Sequence, residues 1–527
     1  MTGGNQWLCI TFTLAACVAS EGASHAGQQG QKKEASHVER FADPRRKWER
    51  SEQEATARLA ANPKDSHALA DRGVARLNLG RIEEAVGDLN RAAEVDTTSA
   101  GVRAQLAYAF MLLGRQQEAI AAAKCALALD PENEGAHANL GRALLEGGSD
   151  PQQAVVHLKR AVELNPEDSN LRFDLFSAYR QSGDLLHANA ELRLLRAILT
   201  PTDPRISYGE GLLETDRGQI PLAIEKFQKA LQANPRYAAA RYDLARALVQ
   251  TERWKEALDL LGPLSKDNPR SYTAAYLHAL ALENSQRNDE AVEEARRAIS
   301  LEPRSADAFT LLGIALGGLG ETKEALAALE TASHLDPRSF DAHFYLGRAR
   351  HALGDLAGAR DAFRGAVELK PEDVQARFFL ATALEELGDA EGAQGQYLEL
   401  IQRRPQDPRG YVGLGDFQAK HGQLEAAVAA LRRARELDPK NFEATLALGR
   451  TLLRVGQLES AVSLLREAVG MSADSAEAHY QLGLALQRSG YSKEAAQEFA
   501  VVDRLNREYR SRSGGMGIPP SSNPRRD

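Results

Sequence analysis

An all-α fold, built as a solenoid of stacked helix pairs, is what this sequence predicts, and three observations carry the prediction. The 527 residues are crowded with Ala, Leu, Glu and Arg and poor in aromatics, at 6%; the abundant types are strong helix formers. Prolines return every 34 or 35 residues, at Pro131, Pro166, Pro201, Pro235, Pro269, Pro303, Pro337, Pro371, Pro405 and Pro439. Small residues keep the same time, with alanine twelve before the proline (Ala223, Ala257, Ala359) and glycine seventeen before it (Gly218, Gly320, Gly354). A fixed period of this length is the mark of a repeat architecture.

Taken in order, the chain begins with "WLCITFTLAACVA", Trp7 to Ala19, an apolar run too short to span a bilayer comfortably. It reads as the apolar part of an export signal over residues 1–26, cleaved after Ala26 in "SHA" or before Cys17 in "LAAC", whose cysteine would then carry lipid. The absence of Lys and Arg from "MTGGNQ" argues against both, and an unprocessed cytoplasmic chain is the alternative. Residues 27–42 are polar and read as a linker. "RRKWERSEQEATARLAANP", within 43–65, reads as a lone helix that caps the repeats. The repeats occupy 66–509, with Thr97 and Ala473 standing at two proline sites, and 510–527 reads as a disordered tail.

One unit shows the logic. "DAHFYLGRARHALGD", Asp341 to Asp355, has apolar residues at helical spacing up to Gly354, which can take the left-handed conformation that ends a helix. "LAGARDAFRGAVELKP", Leu356 to Pro371, is a second helix that stops at its proline. Small residues at Gly347 and Ala359 let the two helices approach closely. A single pair cannot bury its apolar face alone, so neighbouring pairs must stack.

Chemistry is hard to place on such a chain. The net charge of −8 is modest and spread out, so no nucleic-acid partner is expected. Of Cys9, Cys17 and Cys125, the last lies among small apolar residues and is expected to be buried; three cysteines build neither a disulfide framework nor a four-ligand zinc site. No P-loop, GxSxG, HExxH or CxxC occurs. "GIALGGLG", Gly313 to Gly320, follows the repeat's own beat. His343 and His351 lie eight apart with no third ligand, and Glu83–Glu84, Glu293–Glu294 and Glu385–Glu386 read as solvated helix faces. The expectation is no catalytic residue, no metal and no cofactor: not an enzyme.

The recurring pattern, leucine–small–aromatic, then alanine and a bulky apolar residue, then proline, as in "LGRARHA…AGARDAFRGAVELKP", resembles the tetratricopeptide repeat. The resemblance implies a right-handed superhelical α-solenoid of about 13 helix pairs, whose first helices line a concave groove. Five residues into those helices it places Phe173, Tyr208, Tyr242, Tyr276, Phe344 and Phe378, and nine residues in, Arg142, Arg246, Arg348 and Arg450. Aromatic faces can hold extended segments, and arginine can fork onto acidic groups. The same aromatics could simply pack between helices, and the arginines could be surface ion pairs. A chaperone-tail clamp is disfavoured, because the fifth position is aromatic where that clamp has lysine. The function implied is a non-enzymatic scaffold that binds other proteins through extended segments and organises a complex in the cell envelope. The periplasm, or a membrane surface reached through lipidated Cys17, is the expected place. A scaffold of polysaccharide export or secretion, an enzyme-complex accessory and a cytosolic adaptor are the alternatives.

Overall fold

The computed structural model describes residues 44–146 and 150–512. The expected signal segment with Cys17, the linker 27–42, residues 147–149 and residues 513–527 lie outside them. The described residues form 27 helices. They divide into two compact units, one ending at Leu264 and the other beginning at Ser265, and each is taken by itself.

Helix pairs repeat through both units, and in each the first helix is called A and the second B. The pair Phe340–Ala352 and Leu356–Leu369 shows why the sequence folds this way. Ser339 caps helix A, its hydroxyl accepting the Ala342 amide at 3.2 Å. Gly354 ends the helix at φ +80°, and the Asp355 amide donates back to the Arg350 carbonyl at 3.0 Å. Asp355 then caps helix B by accepting from the Gly358 amide at 2.9 Å. Helix B buries Ala359, Ala362, Phe363, Ala366 and Val367 on one stripe. After Pro371, Asp373 caps the next helix A.

Close approach within a pair depends on Gly347. A Cβ there would lie 2.6 Å from the Phe363 ring, so the ring needs bare backbone at this position. Gly313 does the same for Leu329, at 2.4 Å.

The two helices of a pair are buried unequally. In Ala306–Gly318 the buried positions run round the helix, whereas in Thr322–Leu335 only Ala325, Ala328, Leu329 and Ala332 are buried. Contacts between second neighbours explain this. Within the first unit Ala100–Leu112 touches Glu134–Glu146, and within the second Ala306–Gly318 touches Phe340–Ala352. The larger contacts of this kind all join A helices. In each unit the A helices therefore sit on the inner side of the stack and the B helices on the outer side.

Cys125 corrects an expectation: it is exposed. Its helix, Gln116–Leu129, turns Ala119, Ala123 and Ala126 inward, and Cys125 falls on the opposite, outer face. Small apolar neighbours along the chain say nothing of which way one helical residue points.

Candidate functional site

The A helices carry every groove residue expected from the sequence, and the structure separates those residues by burial. Tyr208 and Phe344 are buried, at 9% and 6% exposure, while Phe173, Tyr242, Tyr276 and Phe378 are half-buried. Phe173 stacks on Tyr208 across neighbouring pairs, ring centroids 6.1 Å apart. The Tyr208 hydroxyl donates to Asp243 at 2.7 Å; burial, reinforced by that carboxylate, holds its phenol well above the usual range. Phe344 is wedged among Phe340, Tyr345, Phe363 and Phe379. Phe378 meets Phe379 at 6.2 Å and Tyr397 at 5.9 Å, so Phe344 and Phe378 are joined through Phe379. Tyr276 stacks on Tyr272, one helical turn away, at 5.8 Å.

The arginines are mostly engaged within the chain. Arg142 donates to Asp174 of the next A helix at 2.6 Å, and burial pushes the Asp174 carboxyl up against that pull. Arg246 pairs with Asp243 on its own helix at 2.9 Å. Arg450 reaches back to Asp416 at 2.7 Å and forward to Glu477 at 3.1 Å. Arg348 differs: it is exposed, and its guanidinium lies over the Tyr345 ring, 5.6 Å from the centroid.

Further pairs run from one A helix to the next. Arg180 holds Asp216 at 2.9 Å, His351 meets Glu386 at 2.9 Å, and Lys420 holds Glu385 at 2.8 Å. His343 and His351, which the sequence gives no third ligand, have separate partners, His343 bonding the Pro337 carbonyl at 3.0 Å. Among the described residues no three His, Cys, Asp or Glu side chains stand together as a metal site.

Two recurring devices were missed in the sequence. The residue before each A helix is mostly Asp, Ser or Asn and caps it, as Asp65, Ser99, Asp168, Ser271, Ser305 and Asn441 do. That signal is periodic and could have been read alongside the prolines. Six residues after the proline, a long donor returns to the proline's own carbonyl. His137 bonds Pro131 at 2.9 Å, Arg172 bonds Pro166 at 3.1 Å and Arg377 bonds Pro371 at 3.0 Å. Mixed use of His and Arg hides this from a search for one residue type. It satisfies a turn carbonyl that the helices leave unpaired.

Protein-family models agree with this architecture. A family model described as tetratricopeptide repeat matches residues 45–100, 104–169, 310–374, 378–442 and 446–509. Two more models of that description match residues 215–283 and 418–469, and residues 272–305. No curated protein matches in sequence. Among solved structures the chain is similar to that of the APC/C hetero-tetramer Cut9-Hcn1, at 12% identity and a TM-score of 0.43, over 86% of this chain and 95% of that one. It is also similar to yeast Tom70, at 17% identity and a TM-score of 0.40, over 86% of this chain and 94% of that one. Family models of one description cover most of the described repeats, and this chain belongs to the tetratricopeptide repeat family.

Proposed function

We propose that this chain is a non-enzymatic scaffold whose A-helix faces bind extended segments of other proteins. One observation carries the reading: Phe173, Tyr242, Tyr276 and Phe378, on the inner helices of their units, are only partly buried. Amphipathic rings on a rigid wall supply contact area at little cost in side-chain entropy. Tyr208 in the first unit and Phe344 in the second are buried among these helices. Arg348 is the arginine placed to meet an acidic group, since Arg142, Arg246 and Arg450 already hold carboxylates. We place the scaffold in the cell envelope, on the strength of the apolar run Trp7–Ala19, with Cys17 as its lipid anchor.

Crosslinking in the native host tests this, with the full chain as bait beside a variant carrying Phe173→Ala, Tyr242→Ala and Phe378→Ala. Partners lost only from the variant support the groove, and export or secretion components among them would name the pathway. Equal capture by both proteins refutes it. Metabolic labelling with a fatty acid, lost in Cys17→Ala, tests the anchor.

A further inference from the structure

In three helix pairs, the A-helix side chain that bonds the carbonyl at the proline site also reaches a helix-B side chain nineteen residues on. Arg172 donates to Glu191 at 3.2 Å, Arg377 donates to Gln396 at 2.9 Å, and His479 meets Glu498 at 2.5 Å. Each of these partners offers an oxygen acceptor. At the matching place in the first unit, twenty residues on, the partner of His137 is a second histidine, and its Nδ1 lies 3.0 Å from Nδ1 of His157. The two rings are half-buried, with centroids 5.3 Å apart and planes inclined by 34°. They join helix A, Glu134–Glu146, to helix B, Pro151–Leu164.

Hydrogen bonding limits how many protons this contact can hold. His137 Nε2 lies 2.9 Å from the Pro131 carbonyl, which can only accept, so the ring carries its proton there. In the neutral ring Nδ1 then accepts, and Nδ1–H of His157 donates to it. One added proton finds room on His157 Nε2. A second would have to sit on His137 Nδ1, where two N–H donors and two positive charges would face each other across 3.0 Å. Histidines apart from one another have no such limit.

No neighbouring group relieves the conflict. Neither ring has a carboxylate within ion-pair distance among the described residues, and this includes Glu134, one turn before His137. Burial, His137 and Lys124 of the flanking helix Gln116–Leu129 together hold the His157 imidazole below the usual range. On that same helix Glu118 is taken by Arg115. On Ala100–Leu112, Arg103 donates to the Ser99 carbonyl. On Ser169–Gln181, Arg172 holds Glu191 and Asp174 holds Arg142. On helix B itself Arg160 is engaged by Glu132 and Glu163, and Lys159 is exposed, two residues from His157 and so on another face.

We infer that the His137–His157 contact is an acid-sensitive latch on this helix pair, closed near neutral pH and released as the pH falls towards 5. Opening frees both rings to protonate near pH 6.5, so the open state binds more protons than the closed one and stability falls with pH. The loss begins near that value and deepens until the closed pair can take its last proton. For one excluded proton, opening at pH 5 is favoured by up to about thirtyfold over pH 7.5. Solenoid repeats couple chiefly to their neighbours, so the release falls on this pair and on those stacked against it in the first unit. This part of the surface is then present at neutral pH and lost in acid, reversibly.

Hydrogen exchange on the full chain tests this, with protection factors taken against the unfolded chain at each pH. Between pH 7.5 and 5, peptides from Glu134–Glu146 and Pro151–Leu164 should lose about ten- to thirtyfold in protection and regain it on neutralisation. His157→Gln supplies a neutral acceptor, as Gln396 does for Arg377, and should remove most of that loss. His157→Glu supplies the carboxylate that Glu191 and Glu498 bring elsewhere, and should reverse its sign. The pair Ala476–Arg488 and Ser492–Arg512, where His479 meets a carboxylate, is the internal control and should keep its protection. Only the difference between the two pH values counts, so a variant that is uniformly less stable still decides the matter. A loss that survives His157→Gln, or that is equally large in the control pair, overturns the inference. Unchanged protection at pH 5 in the unaltered chain overturns it as well.

Discussion

Replacing Glu252 and Gln286 with glycine should stabilise the protein, because the repeat forces these two residues into a conformation that suits glycine. Elsewhere the turn between helices A and B is made by glycine, as at Gly80 with φ +79° and Gly354 with φ +80°. At the equivalent positions Glu252 has φ +57° and Gln286 φ +60°. The backbone bonds are the same in all cases: the following amide, Arg253 or Arg287, donates to the Leu248 or Leu282 carbonyl at 2.9 Å, as Arg81 does to Arg76. The helices on either side thus impose the turn whatever residue occupies it. Holding an L-residue in the left-handed region costs about 1–2 kcal/mol, and glycine gives back about 0.5–1 kcal/mol through its freer unfolded chain. The expected net gain is about 0.5–1 kcal/mol per site. Both side chains are exposed, and neither has a hydrogen bond or ion pair among the described residues, so nothing is lost on truncation. Urea unfolding at unchanged slope reads the gain, and hydrogen exchange localises it to the flanking helices, since solenoid repeats couple chiefly to their neighbours. Alanine at the same sites keeps the strain and should leave stability unchanged. Equal stabilisation by alanine and glycine, or none by glycine, would refute the backbone argument.

Glycine to alanine should have opposite signs at two sites in adjacent A helices. Gly347→Ala should cost about 1–3 kcal/mol by forcing the Phe363 ring outward, whereas Gly317→Ala should gain about 0.5–1 kcal/mol from helix propensity; thermal or urea midpoints decide. Ser339→Ala removes the cap on the Ala342 amide and should cost about 1 kcal/mol, while Ser339→Asp should not. Glu283→Gln should stabilise the fold at pH 7. Burial raises the folded-state pKa of Glu283 above its unfolded value, so the charged form is penalised when the pH exceeds both. The gain should therefore shrink as pH falls through the folded pKa and vanish below the unfolded one; a gain that persisted at pH 3 would refute the cause.

Much of the fold can be read from the chain because its determinants are local. A left-handed glycine, a proline and a stripe of alanines each act within a few residues of their own position, and repetition makes them visible above noise. The turn at Gly354 and the close seat of Phe363 on Gly347 belong to this class. So does the unit itself, since a bare helix pair must find a neighbour. The candidate site was legible only as a row of positions. Whether Tyr208 is buried and Phe173 half-open depends on rings from the next pair. Arg142 finds Asp174 and Tyr208 finds Asp243 only because stacking brings side chains more than 30 residues apart into contact. Cys125 turned outward for the same reason, a helix's rotation against its neighbours being a property of packing. Local propensity writes the period into the sequence, but which charges are left unmatched, as at Glu283, is settled only when the repeats are stacked.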